Sequence, residues 1–185
     1  MKAVLAAAFA VVASAAALAQ GQPSQQQTEL LRRLGAEALA VQQAGIVASD
    51  KATANSVEIL GDQAVRLGAA VMQGLRQAGA PEAGGLAAED RQAIAQMEPL
   101  NGEPFARAFT QTMSRLYPAL QRDLQAASDA SPAMGDLARS MLPQVQAQLQ
   151  ATQQVAENPA ADIQVPNQPS GLPPQRKEVP GTQGR

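Results

Sequence analysis

The side chains that most often carry chemistry are missing from this chain. It has no histidine and no cysteine. An imidazole base, a thiolate nucleophile, a disulfide, a zinc–thiolate centre and a lipidated N-terminal cysteine are therefore all excluded. Glu58 and Asp62 stand at i and i+4, which puts two carboxylates on one helix face where a hard cation such as Mg or Ca is conceivable. The expectation here is plainer: Glu58 caps its helix and Asp62 is solvated. A histidine-free hydrolase would need a Ser–Lys or carboxylate arrangement, yet after Lys2 the only lysines are Lys51, at a helix end, and Lys177. A Glu/Asp pair flanking a sugar would lack an aromatic platform to hold it. No enzyme activity, metal or cofactor is expected.

Two other sets of residues each have two readings. Tyr117 immediately precedes Pro118; its phenol is either a buried polar handle in a pocket or a flank hydroxyl in water, and the second is expected. Met72, Met97, Met113, Met134 and Met141 could form a soft, adaptable binding surface. Met113, Met134 and Met141 fall on core-facing positions, so gap filling is expected. The charged residues are expected to scatter over outer faces as solvated pairs. Net charge is only −2, with no Trp and no cluster of Lys and Arg, and nothing in it suggests a nucleic-acid footprint.

The elements that must position these residues are helices. The stretch NGEPFARAFTQTMSRLYPALQRDL (101–124) places Phe105, Phe109, Met113, Leu116, Leu120 and Leu124 at steps of three and four, one apolar stripe along a long helix. Thr28 or Ser24 caps a first helix running to about 49–52, with Leu30, Leu31, Leu34, Ala38, Val41 and Gly45 on one face. Asn55 with Glu58 three residues on reads as a capping box, opening a second helix with the stripe Val57, Leu60, Ala64, Leu67, Val71 and Leu75. Gly79 and Pro81 stop it. A short helical piece, 88–97, is expected to cross the end of the bundle. The third long helix follows, from about Gly102 to Ser128, and Ser131-Pro132 opens the fourth as N-cap and N1, with kinks expected at Pro118 and Pro143. Gly35, Gly45, Gly68 and Gly135 lie inside these helices, from close helix approach or as functional relics. Four amphipathic helices with mostly short connections predict an all-α, antiparallel up-down four-helix bundle over 28–157.

The flanks read differently. MKAVLAAAFAVVASAAALAQ (1–20) has a basic start, an apolar run and Ala17-Leu18-Ala19, the layout of a secretory signal cleaved between Ala19 and Gln20. No stable membrane span is expected after cleavage, and the chain is expected in the periplasm or secreted. Residues 20–27 form a polar lead-in. Residues 158–185 carry six of the 13 prolines and few large apolar side chains. That composition predicts a disordered tail, in which LPPQRKEVP is either a recognition peptide or simply solvated.

The order of these features resembles the bacterial envelope family called domain of unknown function 4142, a ferritin-like helical bundle. The resemblance is carried by KATANSVEILGDQAV (51–65), NGEPFARAFTQTM (101–113) and SPAMGDLARSMLPQVQAQL (131–149). It implies metal-ligand positions that this chain does not fill. Where the family's second helix usually carries Asp-His, this chain has Leu67-Gly68. Where the third carries another Asp-His, it has Leu116-Tyr117. A histidine of the fourth helix corresponds to Gln148, and an acidic position of the first to Gln43. The resemblance therefore implies a divergent member. The expected function is that of an exported, non-catalytic bundle contacting an unknown envelope protein or surface. The alternatives are a binding module for a small apolar ligand in the bundle core and, disfavoured without histidine, a ferritin-like metal protein.

Overall fold

The computed structural model describes residues 24–158. The expected Ala19–Gln20 cleavage site and all of the proline-rich tail beyond residue 158 lie outside the described residues. Within them the chain is entirely helical, with no strand: α1 (Gln25–Lys51), α2 (Asn55–Gln77), α3 (Ala88–Met97), α4 (Gly102–Ala127) and α5 (Pro132–Glu157).

The helix ends follow from local chemistry, though not always the chemistry expected. Ser24 caps α1, its hydroxyl accepting from the Gln27 amide at 3.2 Å. The helix thus opens before Thr28 and takes in part of the polar lead-in. The capping box at Asn55 does not form. Asn55 is already the first helical residue, one position too late to reach the N3 amide, and Ala54 is the cap with no side-chain bond. Asn101 occupies the N-cap of α4, but its side chain makes no capping bond either. Ser131 does cap α5, accepting from the Met134 amide at 3.2 Å, with Pro132 behind it. Gly79, at φ 72°, turns the chain out of α2. Its amide bonds to Arg76 O at 3.1 Å and that of Ala80 to Leu75 O at 2.9 Å, the reciprocal pair of a Schellman stop. Both α4 and α5 run continuously through their internal prolines.

Cross-helix contacts define the arrangement. α1 lies against α2 and α4, and α5 lies against the same two. Every adjacent long pair is antiparallel. Gly45 of α1 meets Gly61 and Ala64 of α2, and Ala38 meets Gly68. Arg33 of α1 reaches Asp123 near the end of α4. Gln63 of α2 bonds to Gln148 of α5, while Gly74 meets Leu137. Consecutive alternation with short connections would make α2 and α4 antiparallel neighbours. Here they run the same way, and the 78–101 connection travels the length of α1. It passes Ala83 against Gly35, and then Glu98, whose carbonyl accepts from Lys51 at the other end. The short helix α3 accordingly lies along the side of the bundle, against α1 and α4, rather than across its end. Its buried Ile94 and Met97 hold it there.

The core is built as the α4 stripe predicts. Phe105, Phe109, Met113, Leu116, Leu120 and Leu124 are all buried, and the two phenylalanine rings stack with centroids 6.4 Å apart. Met97, Met113 and Met134 fill core positions and Met72 and Met141 are half-buried against them, consistent with gap filling. Between α1 and α2 the backbones nearly touch. A Cβ added at Gly68 would sit 2.5 Å from the Ala38 carbonyl oxygen, and one at Gly45 would sit 2.7 Å from that of Gly61. Close approach is therefore the reason for both glycines.

Candidate functional site

The four positions at which the family resemblance implies ligands do not form one site here. Gln43 is half-buried on α1 and Gly68 is buried at the α1–α2 contact. Gln148 is half-buried and donates from Nε2 to Gln63 Oε1 at 2.6 Å. Among the described residues no hydrogen bond or ion pair joins any two of the four. Glu58 is exposed; Asp62 is also exposed, accepts from the Ser49 hydroxyl at 2.7 Å and lies 3.9 Å from Arg66.

Tyr117 is the first correction at a singled-out residue. It is fully buried, not a flank tyrosine with its hydroxyl in water. The spacing Phe109, Met113, Leu116, Leu120 leaves position 117 beside the apolar stripe, and α4 contacts three other helices, so the buried face is wider than one stripe. The hydroxyl finds no protein partner, and burial pushes the phenol well above its ordinary pKa. A buried, unpaired hydroxyl costs free energy. Tyr117→Phe is therefore expected to raise stability by roughly 1 kcal/mol in urea unfolding, and an equal loss would mean the hydroxyl is bonded.

The second correction concerns charge. The charged residues are not all solvated pairs on outer faces, because Glu37, Asp90 and Asp123 are buried. They meet where α1, α4 and α3 adjoin. Asp123 of α4 pairs with Arg33 Nε of α1 and, at 3.1 Å, with Arg122 Nε. Asp90 of α3 pairs with Arg115 Nη2 of α4 at 2.7 Å. Glu37 of α1 has only a distant guanidinium, Arg122 Nη2 at 3.9 Å from Oε1, and its buried Oε2 has no hydrogen-bond partner. Burial first, and then the Asp123 carboxylate, push the Glu37 carboxyl up to about 7, against the opposing pull of Arg33 and Arg122. Sequence reading missed this seam because the groups that meet in it come from three different helices. One signal was legible: Glu37 falls between Leu34 and Val41 on the face the first helix buries.

Asp90 and Asp123 are taken up in ion pairs between helices. Among the described residues no group of three His, Cys, Asp or Glu side chains is placed to hold a metal. A shallow groove of about 540 Å³ at the α4–α5 turn includes Ser128, Ser131, Asp136 and Arg139 in its lining. Its polar groups are engaged: Ser128 with Gln125 O, Ser131 with the Met134 amide, and Asp136 with Arg139. No described helix is long and apolar enough to cross a membrane.

Fold and seam together define an all-helical domain whose buried charges join its helices. The chain is similar to a crystal structure of a DUF305 fragment from Deinococcus radiodurans, with a TM-score of 0.63 and 15% identity over 73% of this chain and 97% of that one. At that identity the likeness concerns the fold alone, a helical domain of unknown function. No protein-family model matches the chain, and no curated protein matches it.

Proposed function

We propose that this chain is an exported, non-catalytic helical-bundle protein of the bacterial cell envelope, working by contact with another protein or a surface. The observation that carries this reading is the use made of the buried carboxylates. Asp90 and Asp123 are paired with arginines across helices, and Glu37 lies in the same seam. Two of the three carboxylates of the seam are thus taken up in ion pairs between helices, in a chain without histidine or cysteine. Export is supported by the basic start, apolar run and Ala17-Leu18-Ala19 site of 1–20. A ferritin-like bundle is supported by the single long connection between two antiparallel hairpins, the feature that separates that class from simple alternation. The resemblance to domain of unknown function 4142 is of the same kind, with its ligand positions replaced.

Native mass spectrometry of the chain purified from its host's envelope tests this directly. The expected species is a bare polypeptide beginning at Gln20, and crosslinking in cells should then join it to a neighbour. A retained metal ion would sink the non-catalytic reading. A retained lipid-like mass would support the alternative, a small apolar ligand in the core, which the unpaired Tyr117 hydroxyl favours by offering one buried polar handle. A species still beginning at Met1 would overturn export by a cleaved signal.

A further inference from the structure

We propose that the seam between α1, α4 and α3 is a proton-operated clasp, which the Glu37 carboxylate closes by taking one proton from solvent and loosens by releasing it. This inference does not depend on the proposed function. It rests on how charge is distributed across the seam. The carboxylates are inside and the guanidiniums are at the rim: side-chain exposure is 10% for Glu37, 1% for Asp123 and 5% for Asp90, against 53% for Arg33, 68% for Arg122 and 43% for Arg115. Water screens the positive groups far more than the negative ones.

The groups facing Glu37 come from all three elements. Arg33 lies one turn before it on α1, Arg122 and Asp123 face it from α4, and Asp90 acts on it from α3. Asp90 is itself tied to Arg115, which also lies 3.8 Å from the exposed Glu89. Arg33 and Arg122 both bond to Asp123, and Arg115 serves Asp90, so among the described residues Glu37 is the one buried carboxylate without a close guanidinium. Its free Oε2 is buried with nothing to accept from. Ionised, Glu37 adds a charge beside two buried carboxylates that Arg33 and Arg122 offset only in part, and a parted seam would let water reach it. Protonated, it removes that repulsion and leaves Arg122 to Asp123. The element with least holding it is α3, whose 10 residues bury only Asp90, Ile94 and Met97. It should yield first.

The sign follows from linkage. The Glu37 carboxyl rises from an ordinary 4.5 to about 7 in the folded chain, so the folded state binds the proton more tightly than the unfolded state. Stability is therefore greatest on the acid side of this window and falls as pH rises through about 7. The test uses the full chain and follows the Glu37 side-chain carboxyl by carbon-13 NMR. Alongside it, amide exchange in α3 and the thermal midpoint are compared at about pH 5.5 and about pH 8, with exchange corrected for intrinsic rates. Wild type should titrate near neutrality, lose α3 protection and show a lower midpoint at the higher pH. Glu37→Gln, a neutral isostere, should keep the acid-form protection and midpoint at both. A Glu37 that titrates in the ordinary carboxylate range would overturn the clasp, as would a Glu37→Gln chain that still loosens at the higher pH. The wild-type titration and α3 exchange need no variant, so together they test the clasp even if Glu37→Gln does not fold.

Discussion

Gly68→His is expected to cost about 3–5 kcal/mol of stability without creating a metal site. Position 68 is where the family resemblance places a histidine, so the substitution asks whether restoring the ligand type restores the chemistry. The packing says it cannot. Any Cβ here meets the Ala38 carbonyl oxygen at 2.5 Å, the Gln42 Cβ at 2.8 Å and the Gln42 amide nitrogen at 2.9 Å. Two of those are backbone atoms of a long helix and cannot turn aside. α1 and α2 would have to separate, which would also loosen the nearby Gly45–Gly61 contact. Forcing even small groups into a packed interior costs about 1–3 kcal/mol, and a buried imidazole without partners adds roughly as much again. The urea midpoint should fall with little change in slope, and the purified variant should hold no stoichiometric zinc or cobalt. Wild-type stability together with one bound metal per chain would refute the close approach of α1 and α2.

Phe109→Ala should cost about 3–5 kcal/mol, the largest effect expected from a simple truncation. Phe109 is fully buried in the α4 stripe and stacks on Phe105 with an interplanar angle of 9°. The core it belongs to takes Ala38, Ala40, Ala44 and Ala48 from α1, side chains with little bulk of their own. A cavity term adds to the lost transfer energy. Phe109→Leu keeps most of the volume and should cost no more than about 1.5 kcal/mol. Urea unfolding of both variants checks the pair. Similar losses for the two would mean that ring shape rather than volume holds the site.

Both effects arise from one property of the interior. Bulk is concentrated on α4, while α1 and α2 meet through glycine and alanine. The α1–α2 contact is intolerant of added atoms, and the α4 contact is intolerant of lost ones. The buried carboxylate seam introduces a different sensitivity, to charge rather than volume, and it links α3 to the bundle through groups that respond to pH.

Much of this architecture was legible in the residues themselves. The α4 stripe, the Gly79 stop and the Ser131-Pro132 opening of α5 depend on interactions within a few residues, which periodicity and cap chemistry report directly. The absence of imidazole and thiol is likewise a property of composition alone. What required tertiary structure was every feature set by which helices become neighbours. The course of 78–101 along α1 depends on packing between distant segments, as does the place of α3 on the bundle's side. The burial of Tyr117 depends on α4 having more than one partner. That Glu37, Asp90 and Asp123 meet, and leave water together, is decided only by the convergence of α1, α3 and α4. Local signals specify helices and their ends; the environment of a side chain belongs to the contacts made between helices.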